Sequence, residues 1–326
     1  MKRRVDGFLL GLVGAVVLAS VYPKLGAQEG ILHPALTNKL SVALIFFLHG
    51  IGLSFKALKA GTLHWRLHLL VQCCTFVLFP LLGLMIYHWG GTTMPQDLRI
   101  GVFFLCALPS TVSSSVAMTA AARGNVAAAL FNATISSLLG VVLTPLWVSA
   151  VTSASGAGVD VGKVVMDLCR WLVLPLILGQ VVRPVLSGWA ARNKSRIHLV
   201  DRATILFLVY TSFCDSVLGG VWTTHGFGTL AVVLVLSAFL FFAVMAASSG
   251  VSRALRFPDE DRIAAMFCAS KKSMATGVPM AQLMFGRGPA LGMVVLPILI
   301  YHSFQLVVAG VLASRWSRRR ESATEA

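Results

Sequence analysis

The chain has 326 residues, of which 57% are hydrophobic and only 12% charged, with a mean hydropathy of +0.82. A water-soluble globular domain does not need that composition, and the net charge of +15 has a source other than nucleic-acid binding, because short membrane loops are basic whatever the protein does. The six cysteines (Cys73, Cys74, Cys106, Cys169, Cys214, Cys268) all lie in apolar stretches and read as small hydrophobes, not as a disulfide framework or metal cluster.

Apolar runs such as Phe8 to Tyr22, Leu67 to Met85 and Thr229 to Ala247 are long enough to cross a bilayer, at about 20 residues per helix. Reading them between Gly, Pro and charged punctuation predicts an all-α polytopic membrane protein with ten spans. These are 6–22, 34–55, 66–88, 97–121, 125–150, 163–186, 201–222, 227–250, 260–285 and 289–313. The first is read as an uncleaved helix, although Leu18-Ala19-Ser20 resembles a signal-peptide cleavage site, because the topology requires it. Lys and Arg collect on the cytoplasmic side of short loops. With the N-terminus inside, the inner segments hold Lys2, Arg3, Arg4, Lys56, Lys59, Arg66, Arg123, Arg192, Lys194, Arg196, Arg202, Arg253, Arg256, Arg262, Arg315 and Arg318 to Arg320, against Lys24, Arg99, Lys163 and Arg287 outside. Both termini are therefore expected in the cytoplasm.

Ten spans divide into two fives, 1–150 and 160–315, followed by a basic tail at 316–326. Five is odd, so a duplicated second half would be inverted in the membrane. The fourth span contains Leu105-Cys106-Ala107-Leu108-Pro109-Ser110 and the ninth Phe267-Cys268-Ala269-Ser270-Lys271. Each continues into a polar run, a Gly-rich turn, and an apolar helix carrying Pro145 or Pro297. Interrupted helices at corresponding positions point to a transporter's binding site.

In the fourth span, Pro109 lacks the N–H of the helix ladder and frees backbone carbonyls near mid-membrane. Ser110, Thr111, Ser113, Ser114 and Ser115 crowd beside it. A lone serine there would be a packing residue or would bond back to its own helix; five hydroxyls in six residues read as a site. In the ninth span, Lys271 and Lys272 each carry an insertion cost of about 2.5 to 3.5 kcal/mol. On a regular helix they point about 100° apart, so one is expected at the polar crossing while the other snorkels or is spare. Asp215 in the seventh span is the candidate counter-ion. Asn132 and Ser136 share a face expected to look toward the fourth span, and Gln72 is a candidate contributor. His64 and His68 have metal-pair spacing without a third ligand and read as interfacial, and His302 reads equally well as packing.

The stretches ALIFFLHGIGLSFKAL (Ala43 to Leu58), RLHLLVQ (Arg66 to Gln72), STVSSSVAMTAAARGNVAAALFN (Ser110 to Asn132), KSMATGVPMA (Lys272 to Ala281) and LPILIYHSFQL (Leu296 to Leu306) resemble the bile acid:sodium symporter superfamily, in its branch around sodium/bile acid cotransporter 7 with its bacterial homologues. The resemblance covers nearly the whole chain. It implies two inverted five-helix repeats, a panel of helices 1, 2, 6 and 7, and a core in which broken helices 4 and 9 cross. It also implies a bacterial inner-membrane location, a ligand site between panel and core, an ion site at Ser113-Ser114-Ser115, and a family glutamine at Gln72. One departure matters. Sodium-coupled members carry a carboxylate in the helix 9 crossover, whereas Ile263 to Gln282 holds neither Asp nor Glu. Lys272-Ser273 stands there instead, so an ammonium is expected to replace sodium.

The leading expectation is a secondary transporter of a small organic solute, an anion being the first class to consider, in the lipid bilayer. No cofactor or nucleic acid is expected, and coupling to Na+ or H+ is open: a permanently charged Lys272 replaces sodium, a titrating one links transport to protons. The substrate and ion residues expected are Ser113, Ser114, Ser115, Asn132, Lys272, Ser273, Gln72 and Asp215. A non-transporting membrane regulator, for example of calcium handling, is the alternative. An intramembrane enzyme using Ser270 or Ser273 with a lysine base is the third class.

Overall fold

The computed structural model describes residues 7–27, 30–52, 64–91, 94–154, 161–286, 288 and 290–324. Among them every regular element is helical. Apart from the single helical turn Pro23–Gly26, these are in chain order α1 (Gly7–Val21), α2 (Pro34–Gly52), α3 (Trp65–Trp89), α4 (Gln96–Ala107), α5 (Ser113–Ala121), α6 (Val126–Ala154), α7 (161–192), α8 (Lys194–Leu218), α9 (Val221–Ala254), α10 (Asp259–Ala269), α11 (Met274–Met284) and α12 (Ala290–Thr324). Seven of them, α2, α3, α6, α7, α8, α9 and α12, are long and apolar enough to cross a membrane, and α1 is a shorter apolar helix. Leu36, Leu40 and Leu44 repeat every fourth residue on the outward face of α2, a stripe that acyl chains would cover.

The two expected interruptions are present. α4 stops at Ala107 because Pro109 cannot donate, and Leu108 is already extended. α10 starts after Pro258 with Asp259, Glu260 and Asp261 in its first turn, where carboxylates suit the positive helix end. It ends at Ala269 without a proline. Ser273 then caps α11, its Oγ accepting from Thr276 N at 3.3 Å.

Contacts sort the helices into two groups. α2 lies along α7 and α1 along α8, while α4 packs on α3 and α12, and α9 on α10 and α12. Gly50 and Gly179 allow the α2–α7 approach, since a Cβ on either would collide with the other helix's backbone; Gln180 Nε2 donates to Gly50 O at 2.7 Å across the same seam. Gly140 plays the equivalent part in α6, where a Cβ would meet the Pro109 ring at 2.7 Å.

Two boundaries depart from expectation. The basic loop expected around 187–200 is almost entirely helical, with Asn193 alone between α7 and α8, because Arg and Lys are good helix formers and need no loop. For the same reason α12 continues through Arg318, Arg319 and Arg320 to Thr324, so most of the expected tail is helix. Lys2, Arg3, Arg4, Lys56, Lys59 and Arg287, which carry part of the topology argument, lie outside the described residues.

Candidate functional site

The break after α4 strands four carbonyls, and each has an assigned donor. Ser110 N would have closed a helical turn on Cys106 O, but it donates to Ser136 Oγ at 2.9 Å. Cys106 O and Leu108 O each accept from Lys272 Nζ at 2.7 Å. Thr144 Oγ1 donates to Ala107 O at 2.8 Å, and Ser273 N to Pro109 O at 2.9 Å. The last bond ties one broken helix to the other at their crossing.

A third acceptor for Lys272 comes from α3. Cys74–Leu78 is a π turn in which Phe79 N donates to Cys74 O, five residues back. The next donor in that register would be Pro80, which has no N–H. Thr75 O is left over and accepts from Lys272 Nζ at 3.0 Å, while Trp147 Nε1 donates to the neighbouring Phe76 O at 3.0 Å. The ammonium thus spends its three hydrogens on three carbonyls, with the Phe79 ring centroid 4.1 Å away. Gln305 holds the Lys272 backbone on both sides, accepting from its N and donating to its O, each at 2.8 Å.

Lys271 is buried as completely as Lys272, but among the described residues its Nζ has one acceptor, Ser114 O at 2.7 Å, with the Phe267 ring at 5.5 Å. The expectation that one lysine would snorkel therefore fails. Residues 270–273 are unwound, so the 100° separation of a regular helix does not apply, and both side chains reach the broken fourth helix. The counter-ion expectation also changes. Asp215 sits in the last turn of α8, and main-chain carbonyls, not its carboxylate, take both ammonium groups.

The hydroxyl cluster is divided between packing and crossing. Ser110 Oγ donates to Cys268 O at 2.6 Å, and Thr111 Oγ1 lies 2.7 Å from Ser114 Oγ and 2.9 Å from Ser115 Oγ. Ser115 Oγ reaches Phe267 O at 3.5 Å, whereas Ser113 is exposed on α5 beside Ala117, Ala120 and Ala121. Gln72 Nε2 meets Asn132 twice, at its carbonyl (3.2 Å) and at Oδ1 (3.3 Å), so this face of α6 looks to α3 through Asn132 and to the α4 break through Ser136. Ser273 is the cap of α11, with Oγ donating to Thr276 Oγ1 at 3.1 Å.

His64 and His68 do not form a metal pair. His64 Nδ1 lies 2.9 Å from Asp261 Oδ2 and His68 stacks on Phe131. His302 Nδ1 lies 3.0 Å from Gln305 Nε2. A serine–lysine dyad is not formed either, since Ser270 Oγ donates to Met266 O at 2.7 Å and Tyr301 OH to Ser270 O at 2.6 Å. Sequence reading missed Thr75, Phe79, Tyr301, Thr144 and Gln305. Pro80 inside an apolar span was the available signal for the first two.

The carbonyl cage does not fit a bound sodium in addition, because Lys272 already occupies it and the crossover supplies no carboxylate. Residues 6–318 match the model of the SBF-like CPA transporter family. The chain is 43% identical over 321 residues to "Uncharacterized protein PA2026" of Pseudomonas aeruginosa, covering 98% of this chain and 96% of that one. It is 42% identical over 322 residues to "Putative symporter YfeH" of Escherichia coli, covering 98% and 95%. Sodium/bile acid cotransporter 7 of Danio rerio is 33% identical over 320 residues, covering 95% and 93%. Matched along almost its entire length, with the broken helices and their crossing in place, the chain belongs to the SBF-like CPA transporter family of the bile acid:sodium symporter superfamily, a family of membrane transporters and not of enzymes.

Proposed function

We propose that the protein is a secondary transporter that moves a small organic solute by alternating access, with an anionic solute the first class to test, and that it does so without the sodium sites of its sodium-coupled relatives. The observation that carries this reading is the Lys272 ammonium held by the Thr75, Cys106 and Leu108 carbonyls at 3.0, 2.7 and 2.7 Å. A cation ringed by carbonyl oxygens between broken helices is the coordination a sodium ion would receive, and here it is covalently part of the chain. Lys271 on Ser114 O supplies a second fixed cation in the same crossing.

In this reading α4 with α5, and α10 with α11, count as single broken crossings. The total is then ten, arranged as inverted halves 1–150 and 160–315. The panel is α1, α2, α7 and α8, the core is the remainder, and both termini face the cytoplasm of a bacterial inner membrane. Exposed Ser113 and the small residues Ala117, Ala120 and Ala121 give α5 an open face, which we assign to the solute cleft. Gln72, Asn132, Ser114, Ser115 and Ser273 hold the crossing behind it. Asp215, near the outer end of α8, belongs to the panel's mouth.

Purified protein in liposomes, offered a panel of organic anions from outside, tests the reading. Uptake should persist when sodium is replaced by potassium, and its response to an imposed pH gradient separates a proton-linked carrier from an uncoupled one. Steep sodium dependence would overturn the substitution. No uptake of any solute under any gradient would favour the regulator. Single cysteines at Thr93 and Ser155, both outside the described residues, should label from outside and one at Ser195 should not.

A further inference from the structure

The two helix groups do not meet evenly along their length. α11 and the start of α12 press against α8, and the first turns of α7 lie against α11 and α6. At the other end, α5 and α10 make their principal contacts within their own group, with α3, α6, α9, α12 and each other. Among the described residues the seam is closed where α8 meets α11 and α12, and is joined more sparsely beyond it, where the Phe8 ring of α1 lies 6.3 Å from that of His302 of α12.

The closed end is held by side chains that no sequence motif announced. Gln282 of α11 is 7% exposed. Its Nε2 donates to Leu208 O at 2.9 Å and to Ser212 Oγ at 2.7 Å, with Thr211 Oγ1 at 3.3 Å, all on α8. Thr211 Oγ1 in turn donates to Asn38 Oδ1 of α2 at 3.2 Å. One turn further along α8, Ser216 Oγ accepts from Gly292 N of α12 at 2.9 Å. Asn38 Nδ2 and Gln282 Oε1, both buried at this junction, have no hydrogen-bond partner among the described residues. A seam intended never to open would lose stability by leaving a buried donor and acceptor unmatched. One that opens to water recovers both.

We infer that Gln282 is the latch that holds the outer end of the panel–core cleft shut, and that the outward-open state forms when its bonds to α8 are exchanged for water. This rests on the alternating-access reading and on its topology, which makes the closed end the outer one and the α5 face an inward-open cleft.

The test uses the full chain with Cys73 and Cys169 replaced by alanine, and membrane-impermeant maleimide applied to cells and to inverted vesicles. One reporter is Ala117→Cys on the open face of α5. The other is Val278→Cys on α11, which is buried and shares the face of Gln282 at i, i+4. With Gln282 present, Ala117→Cys should label from the cytoplasmic side and Val278→Cys should resist labelling from outside. Gln282→Leu keeps the bulk and removes the bonds. It should raise outside labelling of Val278→Cys about tenfold, as expected for losing hydrogen bonds specific to one state, and lower cytoplasmic-side labelling of Ala117→Cys. Where Gln282→Leu fails to fold, Ser212→Ala with Ser216→Ala removes one of Gln282's bonds and the neighbouring Gly292–Ser216 bond across the same seam, and should move both reporters in the same directions by a smaller factor. Unchanged labelling in a folded variant overturns the latch. The labelling needs no solute, so absence of uptake in liposomes would sink the transport reading alone, and unchanged labelling in an active carrier would sink the latch alone.

Discussion

Lys271 and Lys272 are adjacent, equally buried and chemically identical, and the structure treats them differently. Lys272 places its ammonium among three carbonyls drawn from two helices and over the Phe79 ring, with its backbone clasped by Gln305. Lys271 reaches one carbonyl, that of Ser114. An ammonium has three hydrogens to give, so the first site is saturated and the second is not. A saturated cation fixes the geometry of the crossing. An unsaturated one can change partners at smaller cost, so Lys271 is the member of the pair that a conformational cycle can use.

Lys272→Met should have the largest effect. It leaves three buried carbonyls without their donor, each worth about 1–3 kcal/mol of desolvation, so the variant should lose solute binding and melt well below the wild type in detergent. Lys272→Ala adds a test of chemistry, because it vacates the cage without filling it with a methionine side chain. If the ammonium stands for sodium, added sodium should raise the melting temperature of Lys272→Ala and leave that of the wild type unchanged. A fully active Lys272→Met, or an alanine variant indifferent to sodium, would remove this lysine from the site.

Lys271→Met should have the next largest effect. It removes a single bond, to Ser114 O, an oxygen inside α5 that keeps the helical N–H of Met118 four residues on, and leaves the α3–α4–α10 junction intact. The variant should fold and show no sodium-dependent stabilisation, but should transport more slowly in liposomes. If it melts as far below the wild type as Lys272→Met, the two sites are equivalent and the distinction fails.

The parts of this arrangement that were legible in the sequence share a feature: the cause lies within a few residues of the effect. Pro109 announces its own break, five nearby hydroxyls announce a polar crossing, and two lysines in an apolar span demand acceptors. The identity of those acceptors was not legible, because they are main-chain carbonyls and every residue has one. Asp215 drew attention as the conspicuous carboxylate, yet a proline and a π turn had already supplied enough oxygen. The Gln282 latch was hidden for a related reason, since its partners on α8 are Thr211, Ser212 and the carbonyl of Leu208, about seventy residues earlier and ordinary in composition. The basic segment around Asn193 misled in the opposite sense: charge marks a side of the membrane, but it does not make a loop.

The smallest predicted effect tests how the cage was made. Pro80 deprives Thr75 O of a donor in the π register that Phe79 N establishes by bonding to Cys74 O. Pro80→Ala returns an N–H to that position, so α3 gains a competing donor for the carbonyl that Lys272 uses at 3.0 Å. Two effects then oppose each other. α3 becomes a better helix, while the ammonium loses a share of its longest and weakest contact, a charge-assisted bond of about 1.5–3 kcal/mol at most. The net change in melting temperature should be small. Solute affinity should fall only a few-fold, because Cys106 O and Leu108 O still hold the group at 2.7 Å and a single weakened bond is worth about a factor of ten or less. Hydrogen exchange gives the more direct readout: the amide at position 80 should be protected in Pro80→Ala if it has captured Thr75 O. A protected amide with unchanged solute affinity would show that two carbonyls suffice for Lys272 and that the α3 contribution is packing.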